Sequence, residues 1–532
     1  MMAKTQRHRD TTAGGAIGGQ TSKFVFQFRC LSPNHLRLLR LPLCLCVFVF
    51  FNMSSFAVGR STVQPEAWDA QIRLREALDT NPDPHIVEVN LEASVRRVEY
   101  AAHQQVEAWT YNGDIPGPLI RTHVGDRLIV HFKNNLPKPT TVHWHGMRIP
   151  IEMDGVPGIS QPEVEPGGFF TYDFIVPDAG LYWYHPHVMS AMQVGFGLYG
   201  AVLVEDPNEN VGVSDELVLV LSDIGLEDNG ALLDPESAGG ARKVFGLEGN
   251  HVLVNGRERP TLVARAGAPQ RWRIVNAAKT RYFELQLTGA AISEAPFTII
   301  GRDGGLQEYA ITEETLLIAP GERIDVIVTP QGALNSEITV RSLPHNRGYG
   351  SEYLIAEDLF TIILANMPPY SSAGLPAVRR SISPTDNTNT TSVDLDISLV
   401  QLDERTIEYR INKQPAEKLR PIQARPGETQ IWTITNQTKW SHPIHLHGFF
   451  FQVLDRNGEP VRPLAWRDTV DVPFDQTMRF IVRYDDRPGM WMFHCHILDH
   501  AEGGVMGMVE VGASHHEPGK HSHAPTAQGK IE

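Results

Sequence analysis

Four short runs carry ten histidines and one cysteine at spacings suited to metal sites: HWHG at 143–146, HPH at 185–187, HPIHLHG at 442–448 and HCHILDH at 494–500. A single His-x-His pair has a dull reading, as two solvated or hydrogen-bonded residues of one strand. Four such clusters, two toward each end of the chain, make coincidence a poor account. On an extended segment, side chains i and i+2 leave one face and i+1 leaves the other, so a His-x-His pair aims two imidazoles into one site. In His494-Cys495-His496 the thiolate then points away from both flanking imidazoles, and three consecutive residues serve two separate metal sites. The backbone between them is a short covalent route for electrons. Zinc, which does no redox chemistry, would gain nothing from it.

His442 and His500 can complete the thiolate side as a trigonal two-His, one-Cys set, the ligand pattern of blue-copper electron transfer. The other eight histidines offer imidazole-only ligation, which also suits copper: two ligands for one ion and three for each of two more. One blue copper plus three clustered coppers would store the four electrons that turn dioxygen into water without releasing partly reduced oxygen.

Strands must position these residues, and the text supplies them. Short β-branched runs broken by Gly, Pro and Asn dominate, such as RLIVHF at 127–132 and LVLVLS at 217–222, while helical periodicity is scarce. One short helix is expected around Glu66 to Leu78. Three segments share a Pro/Gly turn running into an alternating strand that ends in Asn: THVGDRLIVHFKNN at 122–135, ARAGAPQRWRIVNA at 264–277 and ARPGETQIWTITNQ at 424–437. The repeat, and a length of 532 residues, predict three homologous domains at 85–207, 213–370 and 392–513. The stretch 371–392 reads as a linker and 514–532 as a His-rich disordered tail. The fold class expected is all-β, with three Greek-key β-sandwich or barrel domains.

These four clusters, in this order and spacing, resemble the multicopper oxidases, the family of laccases and bacterial copper-efflux oxidases. The resemblance covers nearly the whole chain after residue 57, with YNGDIPGPLIR at 111–121, MDGVPGISQ at 153–161 and PDAGLYWYHPH at 177–187 as supporting text. It implies cupredoxin-like domains and four copper ions. His442, Cys495 and His500 would hold the type 1 copper, and His143 and His445 the type 2 copper. The type 3 pair would take His145, His185 and His496 on one ion and His187, His447 and His494 on the other. The second repeat holds no ligand and would act as a spacer. Asp154 resembles the acid the family sets beside the type 2 copper for proton delivery. Many bacterial relatives carry Glu directly after the last histidine of the HCH motif; here Ala501 stands there, and Glu502 or Asp499 is the substitute expected. By the same resemblance Val505 would stand at the axial position, leaving the type 1 copper three-coordinate, and Met506 would face the opposite way unless a bulge shifts the register and lets it ligate.

The partners implied are dioxygen and a small reductant, phenols or aromatic amines by default, donating through an exposed edge of a type 1 histidine. Metal ions such as Cu(I), Mn(II) or Fe(II) are the alternative, and an exported copper-binding or scaffold cupredoxin the non-enzymatic one. Residues 1–57 read as a signal peptide, with seven Lys and Arg against one Asp, an apolar run from Leu41 to Phe51 and small residues at Ser55 and Ala57. Export to the periplasm or medium is expected, with no membrane anchor afterwards. Losing that leader takes the net charge from −15 to about −21, which argues against nucleic acid as a partner. Cys30, Cys44 and Cys46 leave with it, so Cys495 stands alone and no disulfide forms within the mature chain.

Overall fold

The computed structural model describes residues 67–512 except 210, 214, 290–295, 350, 352–354, 366–379 and 403–406. The expected leader and tail lie outside the described residues.

Each repeat segment becomes an inner strand: Arg127–Asn135, Gln270–Asn276 and Thr429–Asn436. Each pairs in parallel on one side, with Ile86–Ala101, Asp215–Ile224 and Thr390–Gln401. On the other side each is antiparallel to Phe169–Ile175, Arg323–Val328 and Thr477–Arg483. Alternation turns Leu128, Val130 and Phe132 inward in the first, Trp272 and Ile274 in the second, and Trp432 and Ile434 in the third. Each fully buried aliphatic side chain contributes about 1.5–3 kcal/mol, and a one-residue slip would turn the whole set to solvent.

The shared Asn closes each strand in the same way. The side chains of Asn134, Asn276 and Asn436 accept the amide two residues on, at 2.9, 3.0 and 2.9 Å. Each also donates to two carbonyls, one from the following turn and one from a facing strand or loop. Among the described residues the sheets come in pairs of four and four, six and five, and six and five strands, each pair closing over its own apolar cluster. The fold is all-β, with three cupredoxin-like domains. No helix among the described residues is long and apolar enough to cross a membrane.

Two expectations need correction. The helix expected at 66–78 is a turn over 67–72 followed by extended chain. Trp68 and Ile72 do sit one turn apart and pack into the second core, but Arg75 and Ala77 then bond to Leu119 as a strand neighbour would. The stretch read as a linker ends earlier than expected, because the strand Thr390–Gln401 begins within it.

Candidate metal centre

Two pairs of adjacent strands carry the clusters. His143–His145 runs antiparallel to Gly180–His185 with His143 opposite His185, and His442–Leu446 runs antiparallel to Gly489–Cys495 with His445 opposite His494 and Ile444 opposite Cys495. The short helix Leu498–Glu502 turns the chain back so that His500 faces Cys495. His500 Nδ1 lies 3.2 Å from His442 Nδ1 and 3.9 Å from Cys495 Sγ. All three residues are fully buried. Burial pushes His442 down to about 3 and the Cys495 thiol up, so the imidazole is a neutral donor and the thiol gives up its proton only to a metal. Val505 joins Cys495 in one apolar cluster and accepts its amide at 2.9 Å. Met506 lies opposite His494 in the ladder, and directly opposed residues share a face, so its thioether is turned from the thiol.

On the other face the imidazoles crowd together. His143, His145 and His185 form one group, His187, His447 and His494 a second, and His143, His445 and His447 a third, ligand atoms in each lying within 4.8 Å of one another. The His496 ring lies 4.8 Å from that of His145 and 5.5 Å from that of His185. Thus Cys495 converges with His442 and His500, while its two neighbours converge with other histidines.

Nitrogen bonding shows what this nest is for. His143 Nε2, His145 Nδ1, His185 Nε2, His187 Nε2, His445 Nε2 and both nitrogens of His496 are buried without a hydrogen-bond partner. His447 Nε2 faces His494 Nε2 at 3.1 Å. Each unsatisfied buried polar atom costs about 1–3 kcal/mol, and so many converging lone pairs form a donor set that could hold metal ions. Their outer nitrogens are held: His143 Nδ1 donates to the Asp154 carbonyl at 2.6 Å, His445 Nδ1 to the Asp468 carbonyl at 2.9 Å, and His494 Nδ1 to the Cys495 carbonyl at 2.9 Å.

Three stretches match family models described as multicopper oxidase, at residues 92–209, 215–343 and 385–515. The multicopper oxidase MmcO of Mycobacterium tuberculosis is 32% identical over 75% of this chain and 82% of its own length. The chain belongs to the multicopper oxidase family. A laccase of Bacillus subtilis is 28% identical over 76% of this chain and 90% of its own. Among solved structures, a multicopper oxidase of Campylobacter jejuni described as a metallo-oxidase superposes with a TM-score of 0.73 at 27% identity, covering 83% of this chain and 94% of that one. One from Pseudomonas thermotolerans gives 0.68 at 32%, covering 80% and 99%. Copper ions are the cofactor this family implies, and the soft thiolate and orphaned imidazole nitrogens suit copper.

Two acids touch the imidazole nest of this oxidase. Asp154 accepts from His447 Nδ1 at 2.9 Å, and its other carboxylate oxygen is buried 3.4 Å from His143 Nδ1. Asp468 lies 3.2 Å from His145 Nε2 and 3.4 Å from His445 Nδ1. Sequence reasoning missed Asp468; its only signal is a polar residue entering the strand Thr469–Val472 opposite His445. The second domain, read as a spacer, supplies its counter-charge. Arg323 donates from both terminal nitrogens to Asp468, one bond being 2.7 Å, and from Nε to the Leu181 carbonyl at 3.0 Å. Gly321 (φ +84°) lets that domain approach so closely that a Cβ there would lie 2.6 Å from His496 Cγ.

Glu502 and Asp499 prove to belong to a different cluster. Asp499 bonds Arg242 at 2.8 Å and Lys279 at 2.8 Å, while Glu502 bonds Arg242 at 2.9 Å and the Ala191 amide at 3.1 Å. These contacts tie the turn Arg242–Phe245 to the helix that carries His500. That turn overturns a further expectation. Neither His442 nor His500 offers an exposed edge, because Tyr409 packs on both rings and donates to the Val244 carbonyl at 2.9 Å.

Proposed function

We propose that this oxidase holds four coppers and couples one-electron oxidation of a phenol or aromatic amine to four-electron reduction of dioxygen to water. The observation that carries the reading is the split at His494-Cys495-His496, in which the thiol meets His442 and His500 while each flanking imidazole meets a different group of histidines. His442, Cys495 and His500 would hold the type 1 ion, and His143 and His445 the type 2 ion. His145, His185 and His496 would hold one type 3 ion and His187, His447 and His494 the other. When bound, the coppers supply electron storage and the reduction of dioxygen.

The protein's own groups do the rest. The Cys495–His494 and Cys495–His496 backbone links the two sites through bonds alone. Asp154 aligns His447, and its other oxygen, beside His143, is the atom that would pass protons inward, a task each turnover requires four times. Asp468, with Arg323, holds His145 and His445. Over the covered type 1 site, Phe245 and Tyr349 are exposed and Phe245 packs edge-on against Trp440. These rings offer an aromatic reductant a stacking surface beside Val244, whose carbonyl takes the hydroxyl of the Tyr409 that covers His500. Export of the chain follows from its basic, apolar leader.

A metal-ion reductant is the second reading, favoured by the closed histidine edges, which a small ion reaching nearby carboxylates would tolerate better than a bulky ring. Oxygen uptake with phenols, Cu(I), Fe(II) and Mn(II) under air tests both. Turnover highest with phenols upholds the first reading, and turnover confined to metal ions replaces it with the second.

A further inference from the structure

The seam between the second and third domains holds an open cavity of about 210 Å³ that the copper chemistry does not use. Arg456 and Arg462 are exposed at it, Arg302 is half-buried, and Arg467, Glu322 and Asp471 are its buried charged residues. The two acids are engaged already. Glu322 accepts from Arg467 and from the Ala319 amide, and Asp471 accepts the Tyr282 hydroxyl at 2.7 Å. Burial raises the Asp471 carboxyl to about 7, so it contributes only part of a negative charge near neutrality. Arg467 is spent on Asp303 and Glu322.

Arg302 is different. Its backbone belongs to the strand Phe297–Arg302, but among the described residues its side chain makes no hydrogen bond or ion pair, and Glu322, Asp303 and Glu313 act on it only from a distance. The buried arginines Arg242, Arg271, Arg323 and Arg467 are each held above the usual range, burial notwithstanding, by acid partners. Arg302 is pushed down to about 10, first by burial and then by Arg467. A guanidinium is a planar fork shaped for carboxylate or phosphate oxygens, and three arginines without an ion-pair partner among the described residues, around so small a space, favour one compact anion. The volume lies below the roughly 300–1,000 Å³ of sites for drug-sized organic molecules, which suits a small ligand.

We propose that this cavity binds a small oxyanion, a phosphate or a short carboxylate, held by the fork of Arg302 with Arg456 and Arg462 closing over it. The occupant would tie the second domain to the third. It would also lie against Arg467, which donates to the Thr469 carbonyl at 3.0 Å, and the Thr469 hydroxyl sits 3.1 Å from His145 Nε2. Binding would therefore brace the strand behind the histidine nest.

The test is calorimetric titration of the copper-loaded full chain with inorganic phosphate and, separately, with acetate, each beside sodium chloride of equal ionic strength. Wild type and Arg425→Gln, a change at an exposed arginine outside the cavity, are expected to bind alike. Arg302→Gln is expected to bind at least about tenfold more weakly, the loss of a charge-assisted bond, and Arg302→Lys to fall between. The thermal midpoint of wild type should rise with the anion and that of Arg302→Gln should not. Tighter phosphate or tighter acetate tells which source fits. The proposal is overturned if neither anion binds, if chloride gives the same midpoint shift, or if Arg302→Gln binds as wild type does. Should Arg302→Gln fail to fold, wild-type affinity in Arg302→Lys overturns it equally.

Discussion

Replacing Asp468 by Asn tests whether the second domain holds the copper nest or merely fills space. Asp468 is buried, bonded twice by Arg323, and touches His145 and His445. Removing one partner of a buried ion pair costs about 3–5 kcal/mol, because the other charge stays uncompensated. The low end applies here, since Arg323 keeps the carbonyls of Leu181, Gly321 and Asp303. We expect about 3 kcal/mol in urea unfolding of the copper-loaded chain, and similar coupling between Asp468→Asn and Arg323→Met in a double-mutant cycle. The pH dependence has a definite sign. Burial alone would raise the Asp468 carboxyl, but Arg323 holds it well below the ordinary aspartate range. The pair's contribution is therefore complete above the unfolded value of about 3.9 and is lost as pH falls below it toward the folded value. The gap between wild type and Asp468→Asn should stay constant from about pH 8 to about pH 5 and close only below about pH 4. A loss under about 1 kcal/mol, no coupling, or a gap that changes near neutrality would refute this reasoning.

Three other changes probe separate parts of the account. Asp154→Asn weakens the hold on His447 and should lower copper affinity about 10- to 100-fold in chelator competition; unchanged retention removes Asp154 from the site. Gly321→Ala places a methyl against His496 in a backbone region that disfavours a side chain, so the copper count should fall below wild type with loss of the near-ultraviolet shoulder of the coupled pair; full occupancy would show that the two domains yield easily. Tyr349→Ala removes an exposed ring beside the covered type 1 site and should raise KM for phenols a few-fold, the scale of one aromatic contact, without moving KM for Fe(II); equal effects on both would place the phenols elsewhere.

The fold class and the histidine groups were legible because each rests on a strict period. Alternation marks the strands, and i, i+2 spacing sends Cys495 one way and His494 and His496 the other. The repeat was legible through Asn134, Asn276 and Asn436, whose common position reflects one shared turn. What escaped depends on contacts between distant segments. Nothing near Asp468 in the chain names Arg323, 145 residues away. Glu502 looked like a relay because it follows His500 closely, yet the helical turn at 498–502 carries it to Arg242. The helix expected at 66–78 failed because its apolar residues match a helix for one turn only, and strand-like bonds to Leu119 then decide the conformation.

The measurement closest to the central claim is the copper content and electron paramagnetic resonance spectrum of Cys495→Ser, beside wild type. If Cys495 serves one site and its neighbours another, the variant should lose one copper and the blue band while keeping three, with the type 2 signal intact. Loss of all four together, or a blue band that survives, would contradict it.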